Sequence, residues 1–258
     1  MIVPNVLGGS YVSQSPTALN EDTVNFIPEI LDVPEGKARI VLYPSPGVAV
    51  WGDAGNGEAC RGDVDIRYQS VERVFAVFGD LFGEFSSLGV WTFRGTVTFT
   101  DTTPVTISYN GDAGGQLLIT SCADGFLFDL GTNTFSTIAA LANIATMGIM
   151  LDGFFGVLDT VTSTFYISDL NDGAVWDPTQ FLQRSIASDP YVSLQVTYQN
   201  IYLIGTATSD VLENVGTFPF PFAPIPNALI PYGTSAPYSA TLVSGTLCWL
   251  TQTVKGRR

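Results

Sequence analysis

The stretch Thr164–Gly216, TFYISDLNDGAVWDPTQFLQRSIASDPYVSLQVTYQNIYLIGTATSDVLENVG, decides how the chain is read. An apolar run ends in an acidic turn, Asp169-Leu-Asn-Asp-Gly173, and Trp176-Asp-Pro178 breaks the chain again. A polar connection then leads to two more apolar runs, 191–198 and 201–206. Short apolar runs bounded by Asn, Asp, Gly and Pro read as strand, decorated loop, strand, tight turn, strand, which predicts most of one antiparallel sheet.

Outward from there the same grammar recurs. Glu72–Phe78 is a strand, Gly79-Asp80 a turn and Leu81–Phe85 its partner. Further strands are expected at 90–93, 96–100, 104–109, 116–121, 125–130 and 135–138. Asn110-Gly111, Asp124-Gly125 and Asp152-Gly153 carry the residues that tolerate positive φ in tight hairpins. Between Thr137 and Met150 the apolar spacing fits a short helix, whereas Met147-Gly-Ile-Met-Leu151 before Asp-Gly fits a strand; both readings stand. Runs that follow a turn begin at 81, 125, 153, 200 and 245, about 28 to 47 residues apart, close to the spacing of propeller blades. A propeller is preferred to a sandwich on that ground.

Both ends of the chain differ from its middle. Residues 1–36 hold prolines at 4, 16, 28 and 34 and read as an extended arm. An alternating run, ARIVLY, comes next and is stopped by Pro44-Ser-Pro-Gly47, a preset turn. After Gly216 prolines stand at 219, 221, 224, 226, 231 and 237, so no central strand is expected there. Alternating Pro and Phe predict an extended segment whose rings pack on its own domain or on another subunit.

The 258 residues are 46% hydrophobic but only 13% charged, about half the usual charged share, so Ser, Thr, Asn, Gln and Gly must cover much of the surface. That suits a chain built into an assembly and equally a secreted β protein. The net charge of −14 excludes phosphate neutralisation by clustered Lys and Arg. It serves solubility, or a wall that DNA passes without sticking, and composition does not choose between them. Cys60, Cys122 and Cys248 are odd in number, far apart and without a C-x-x-C, so they read as small buried residues. The N-terminus carries neither the basic nor the apolar region of a secretory signal, and no apolar run reaches the ~20 residues of a membrane span.

With no histidine in the chain, Ser-His-Asp, Cys-His and His-based metal sites are excluded. Neither a phosphate-cradling G-x-x-x-x-G-K-[ST] nor G-x-G-x-x-G is present. Carboxylates remain. Asp169, Asp172 and Asp177 lie close in sequence, and a glycosidase needs only two carboxyls at the right separation. Asp-Gly and Asn-Asp are also common turn chemistry, which is the preferred reading. D-L-N-D-G is one residue short of a calcium loop, and Phe181, Leu182 and Gln183 stand where its closing glutamate belongs. Trp91/Phe93 and Tyr198/Tyr202 read as core or cross-strand aromatics rather than sugar platforms. No catalytic, cofactor-binding or metal-ligating residue is assigned.

The segment F-Y-I-S-D-L-x-D-G-x-x-W-D at 165–177 resembles the packaged-DNA stabilization proteins of short-tailed phages, the tail accessory factors that form the hub of P22-like tails. FPFAPIPNALIPYGTSAPYSATLVSGTLCWL at 220–250 is similar to the family's Phe-Pro-Phe-Ala-x-Ile-Pro and Gly-x-x-Ala-Pro-Tyr-Ser runs. Asn25 to Glu29, Ser-Pro-Gly at 45–47 and Cys-Arg-Gly at 60–62 match more weakly. The resemblance covers roughly the family's N-terminal half, and Ser185-Ile186 replaces its usual Ala-Glu.

It implies an all-β, β-propeller-like array of antiparallel blades, incomplete at its C-terminal end: an extended arm over 1–36, then a propeller-type domain over 37–258. It further implies a non-enzymatic structural protein of the virion tail, assembled in the host cytoplasm as a homo-hexameric ring. The implied partners are the adaptor ring under the portal, tailspikes or tail fibres, the tail needle, and packaged DNA in the channel without specific binding. No cofactor and no membrane anchor are expected. The alternative is a carbohydrate-binding or glycoside-active propeller whose pocket is lined by Asp169, Asp172, Asp177 and Trp176.

Overall fold

Within Met1–Val50, one of two units of the computed structural model, strand β1 (Tyr11–Val12) pairs with β2 (Asn20–Glu21), and β3 (Phe26–Ile30) with β4 (Ile40–Pro44). The structure describes residues 11–12, 20–21, 26–30, 40–44, 47, 49–184, 187–253 and 256–257. The arm boundary expected between 36 and 37 lies outside them.

In the second unit, Trp51–Arg258, four antiparallel meanders of four strands succeed one another in chain order. Blade 1 is β5 (Cys60–Tyr68), β6 (Val71–Phe78), β7 (Leu81–Phe85) and β8 (Trp91–Thr96). Blade 2 is β9 (Thr106–Tyr109), β10 (Gln116–Ser121), β11 (Asp124–Asp129) and β12 (Thr134–Thr137). Blade 3 is β13 (Met147–Leu151), β14 (Phe154–Asp159), β15 (Thr164–Ile167) and β16 (Phe181–Gln183). Blade 4 is β17 (Tyr191–Thr197), β18 (Asn200–Gly205), β19 (Ser209–Asn214) and β20 (Phe222–Pro224). The first strands β5, β9, β13 and β17 neighbour one another in that order, as the inner strands of a propeller do. A two-stranded hairpin, β21 (Thr241–Val243) with β22 (Thr246–Cys248), comes next, and β23 (Gln252–Thr253) pairs with β24 (Gly256–Arg257). Among the described residues no strand ladder joins blade 4 back to blade 1, so the array is not closed.

The core is three seams between blades. Phe75, Val77 and Phe82 meet Leu117, Ile119, Phe126 and Phe128 in the first. Leu118 and Leu127 meet Phe155 and Val157 in the second, and Phe165 and Ile167 meet Tyr191, Ile201, Leu203, Leu212 and Phe222 in the third. Successive strand residues point to opposite faces. Leu117 and Ile119 therefore face one seam while Leu118 faces the next, so blade 2 is apolar on both faces and its strand reads as a continuous hydrophobic run. Each such side chain contributes about 1.5–3 kcal/mol by leaving water.

Several local expectations shift. The 164–216 stretch belongs to two sheets, not one: β15 and β16 close blade 3, and β17 to β19 open blade 4. Residues 96–100 are not a strand beyond Thr96 but lead to blade 2, because Arg61 pins the connection through its Nε–H to the Thr103 carbonyl at 2.9 Å. Arg61 can do so because it is the extra residue where the β5–β6 register shifts between Cys60 and Gly62. Asn110-Gly111 opens a single helical turn, α1 (Gly111–Gly114), instead of a two-residue hairpin. Asp124-Gly125 lies inside β11; the turn is Cys122-Ala123, at φ 50° and 66°, and Asp124 is held by Thr98 and the Asn143 amide. The 137–150 ambiguity resolves into one 3₁₀ turn, Ala139–Leu141, followed by β13.

The proline-rich stretch supplies the outer edge strand of blade 4, where a missing donor is tolerated. Phe220 and Phe222 pack edge-on against Phe165 of the third seam, so this segment covers its own domain.

Candidate functional site

The acidic loop joins β15 to β16 on blade 3. Asn171 takes φ 56°, and Gly173 is buried where an added Cβ would meet Leu127 at 2.7 Å and Phe155 at 2.8 Å. Its amide donates to Gln116 Oε1 at 2.8 Å, which ties the loop to blade 2. The Asp172 carboxylate accepts the Ala174 amide at 3.0 Å. Asp177 accepts the hydroxyl and amide of Thr179, which hold its carboxyl below the usual range. The Trp176 indole donates to the Gly173 carbonyl at 2.8 Å and packs at the edge of the second seam. Asp172, Asp177 and Trp176 thus build the loop they belong to. Asp169 differs: its amide bonds the Val175 carbonyl, but its carboxylate has no hydrogen-bond partner among the described residues.

The charged groups the sequence did not single out are structural keystones. Arg184 has a 2% exposed side chain whose guanidinium lies 3.0 Å from Asp189, 3.5 Å from Asp210, and 4.5 Å from the centre of the Tyr191 ring. Tyr191 donates its hydroxyl to Asp210. Burial, then that carboxylate, pushes the Tyr191 phenol well above its ordinary value, so it remains a donor. Burial would raise Asp189, but the Thr208 and Ala207 amides, the Thr208 hydroxyl and the Arg184 charge outweigh it and hold its pKa at about 2. At the outer side of the first seam, Glu84 takes Arg73 and Arg94, each at 2.7 Å. Burial again opposes the shift, and the two guanidiniums overcome it to keep the Glu84 carboxyl low.

Because these carboxyls titrate lower in the folded than in the unfolded chain, the stability they contribute is present above the unfolded carboxylate range and lost as pH falls toward the folded value. Thermal denaturation is expected to show a midpoint that drops between about pH 4 and pH 2. Asp189→Asn is expected to flatten that drop; an unchanged acid slope would show that the Asp189 network does not carry it.

Among the described side chains, arginine use leaves a mostly acidic surface. Arg61 is buried, and Arg73, Arg94 and Arg184 are engaged as above; Arg67 is the one exposed cation among the described side chains. Against it stand Asp53, Glu58, Asp63, Asp65, Glu72, Asp101, Asp112, Asp152, Asp169 and Asp177, all exposed. Among the described residues no helix is long and apolar enough to cross a membrane, and no three His, Cys, Asp or Glu side chains group as a metal site. The cysteines are free: Cys60 and Cys248 are exposed rather than buried as expected, because they lie at or beside strand ends, and Cys122 sits in its turn beside Arg61. Trp91 packs on Phe78 and Phe85 as a cross-strand aromatic, while Phe93 is half exposed and Tyr198 is exposed in the β17–β18 turn.

The family described as "Bacteriophage P22 Gp10, beta-propeller" matches residues 2–257, and the chain belongs to it. No curated protein matches. Among solved structures, the AfRom2 CNH domain is similar over 95% of this chain and 84% of its own, with 8% identity and a TM-score of 0.47. Kluyveromyces lactis Hsv2 is similar over 74% of this chain, with 13% identity and a TM-score of 0.45. The chain spans 59% of that Hsv2 and 57% of the Kluyveromyces marxianus protein.

Proposed function

From membership in this family of phage packaged-DNA stabilisation propellers, we propose that the chain is a structural component of a short-tailed phage tail. It sits as a hub or nozzle between the portal-adaptor ring and the distal tail parts and helps to retain packaged DNA. The family match over residues 2–257 carries the reading. In this reading the protein is not an enzyme, forms a homo-hexameric ring, contacts the adaptor, tailspikes or fibres and the needle, and is assembled in the host cytoplasm. The mostly acidic charge of the described surface supports a wall that DNA passes without being held, since phosphate binding needs clustered Lys and Arg and, among the described side chains, every arginine but Arg67 is committed to the fold.

The test is DNA retention. Particles assembled without the protein are expected to package DNA and then release it, leaving it open to nuclease, and adding the purified chain is expected to restore protection. Particles that keep their DNA without it would sink the proposal, and a monomer under every condition of native mass measurement would sink the ring.

A further inference from the structure

A cavity of about 560 Å³ opens between blades 3 and 4, within the range of about 300–1,000 Å³ typical of small-ligand sites. Its walls come from Phe154 on β14, Asp169, Leu170 and Gln180 of the acidic loop, and the β19–β20 connection with Asn214 and Phe218. Two of its polar side chains make no hydrogen bond within the described fold and are open to solvent. Gln180 is only 8% exposed, yet among the described residues its side-chain amide makes no hydrogen bond. Its backbone is fixed, the amide N–H to the Asp177 carbonyl at 2.9 Å and the carbonyl to the Ile167 amide at 3.3 Å. Asp169 is fixed the same way by Val175 and Asp172, while its carboxylate is unused. Gln180 lines the cavity and is not among the described polar groups sealed from solvent without a partner, so its amide is open to a ligand there. Phe218 is 93% exposed at the margin of the same cavity and offers a bare ring face.

We propose that this cavity binds a neutral sugar ring. A carboxylate and a carboxamide lining one cavity supply acceptors and donors for vicinal hydroxyls, and Phe154, Leu170 and Phe218 supply apolar surface for the C–H face of a pyranose. No Lys or Arg lines the cavity, and Asp169 repels a second carboxylate, so acidic sugars are excluded. The residue set differs from the Asp169, Asp172, Asp177 and Trp176 pocket anticipated from sequence. Asp169 alone is common to both, because the other three are consumed in building the loop. The site binds rather than cleaves, having one carboxylate where hydrolysis uses two.

The intact chain is titrated with maltotriose, cellotriose and chitotriose, and with trigalacturonic acid as the acidic comparison, by calorimetry and saturation-transfer NMR. Saturable binding of at least one neutral trisaccharide is expected. Asp169→Ala and Gln180→Leu are each expected to weaken it at least about tenfold. Phe218→Ala is expected to erase the transfer signal from the ring protons. Asp169→Ala is the safeguard against misfolding, since that carboxylate holds nothing in the fold, and its melting midpoint is expected to match the parent. Absence of binding by all three neutral sugars, preference for the acidic one, or binding indifferent to Asp169→Ala and Gln180→Leu overturns the proposal. So does a Phe218→Ala variant that loses a tail-protein contact while no sugar binds. DNA retention and sugar titration read independent properties, so either proposal can fail alone.

Discussion

Arg184→Ala is expected to lower the unfolding free energy by about 3–5 kcal/mol, the cost of stranding buried charge. The residue enters from the end of blade 3 and donates to the Asp189 carbonyl and to Thr208, while its charge faces Asp189 and Asp210. Asp210 is 4% exposed on its side chain and has little water to replace the lost counter-charge. Gly205 lies so close that any side chain there would displace the guanidinium, so Gly205→Ala is expected to act in the same direction. Urea denaturation at pH 7 measures the effect. Its size is expected to shrink as pH falls toward about 2, where Asp189 takes up a proton and no longer needs the cation. A loss under about 1 kcal/mol, as for a surface ion pair, would show that water reaches the cluster.

Strand existence was legible in the residues because each blade alternates or, where both faces are covered, runs apolar between turn residues. Phe75–Phe78, Leu117–Ser121 and Ile201–Gly205 lie in strands where the pattern put them. Blade boundaries were not legible. The 184–190 connection that carries the chain from blade 3 to blade 4 looks like any polar loop, since what makes it a boundary is Arg184 reaching across to Thr208. Turn positions slipped for a related reason. Asp124-Gly125 has turn chemistry, but the Asp124 carboxylate is engaged by Thr98 and Asn143, and the turn moved to Cys122-Ala123. The acidic loop shows the same limit at a site. Asp169, Asp172 and Asp177 are equivalent as letters; only the hydrogen bonds separate the free carboxylate from the two that hold turns. Gln180 and Phe218 carried no signal, because an unpartnered amide and a bare ring are properties of surroundings.

Phe128→Ala is expected to cost about 3–5 kcal/mol, the range for deleting a buried aromatic and leaving its cavity. Phe128 is fully buried in the first seam, with ring centres of Phe75 and Phe82 each 5.4 Å away. The guanidiniums of Arg73 and Arg94 lie 5.9 Å and 6.0 Å from its ring, so the truncation also loosens the cluster around Glu84. In an array that is not closed by strand pairing, such seams carry the burden of holding blades together. Loss of the first seam is therefore expected to free blade 1 before the rest unfolds. Phe218→Ala removes a ring of the same type that covers nothing, and its expected change is within about 0.5 kcal/mol. Denaturation followed by tryptophan fluorescence separates the cases, because Trp51 and Trp91 pack against Phe85 on blade 1 whereas Trp176 sits on blade 3. Phe128→Ala is expected to split a single transition into two, the earlier reported by the blade 1 indoles. One unshifted transition would mean that the blades do not depend on this seam, and that the third seam, around Phe165, holds the array.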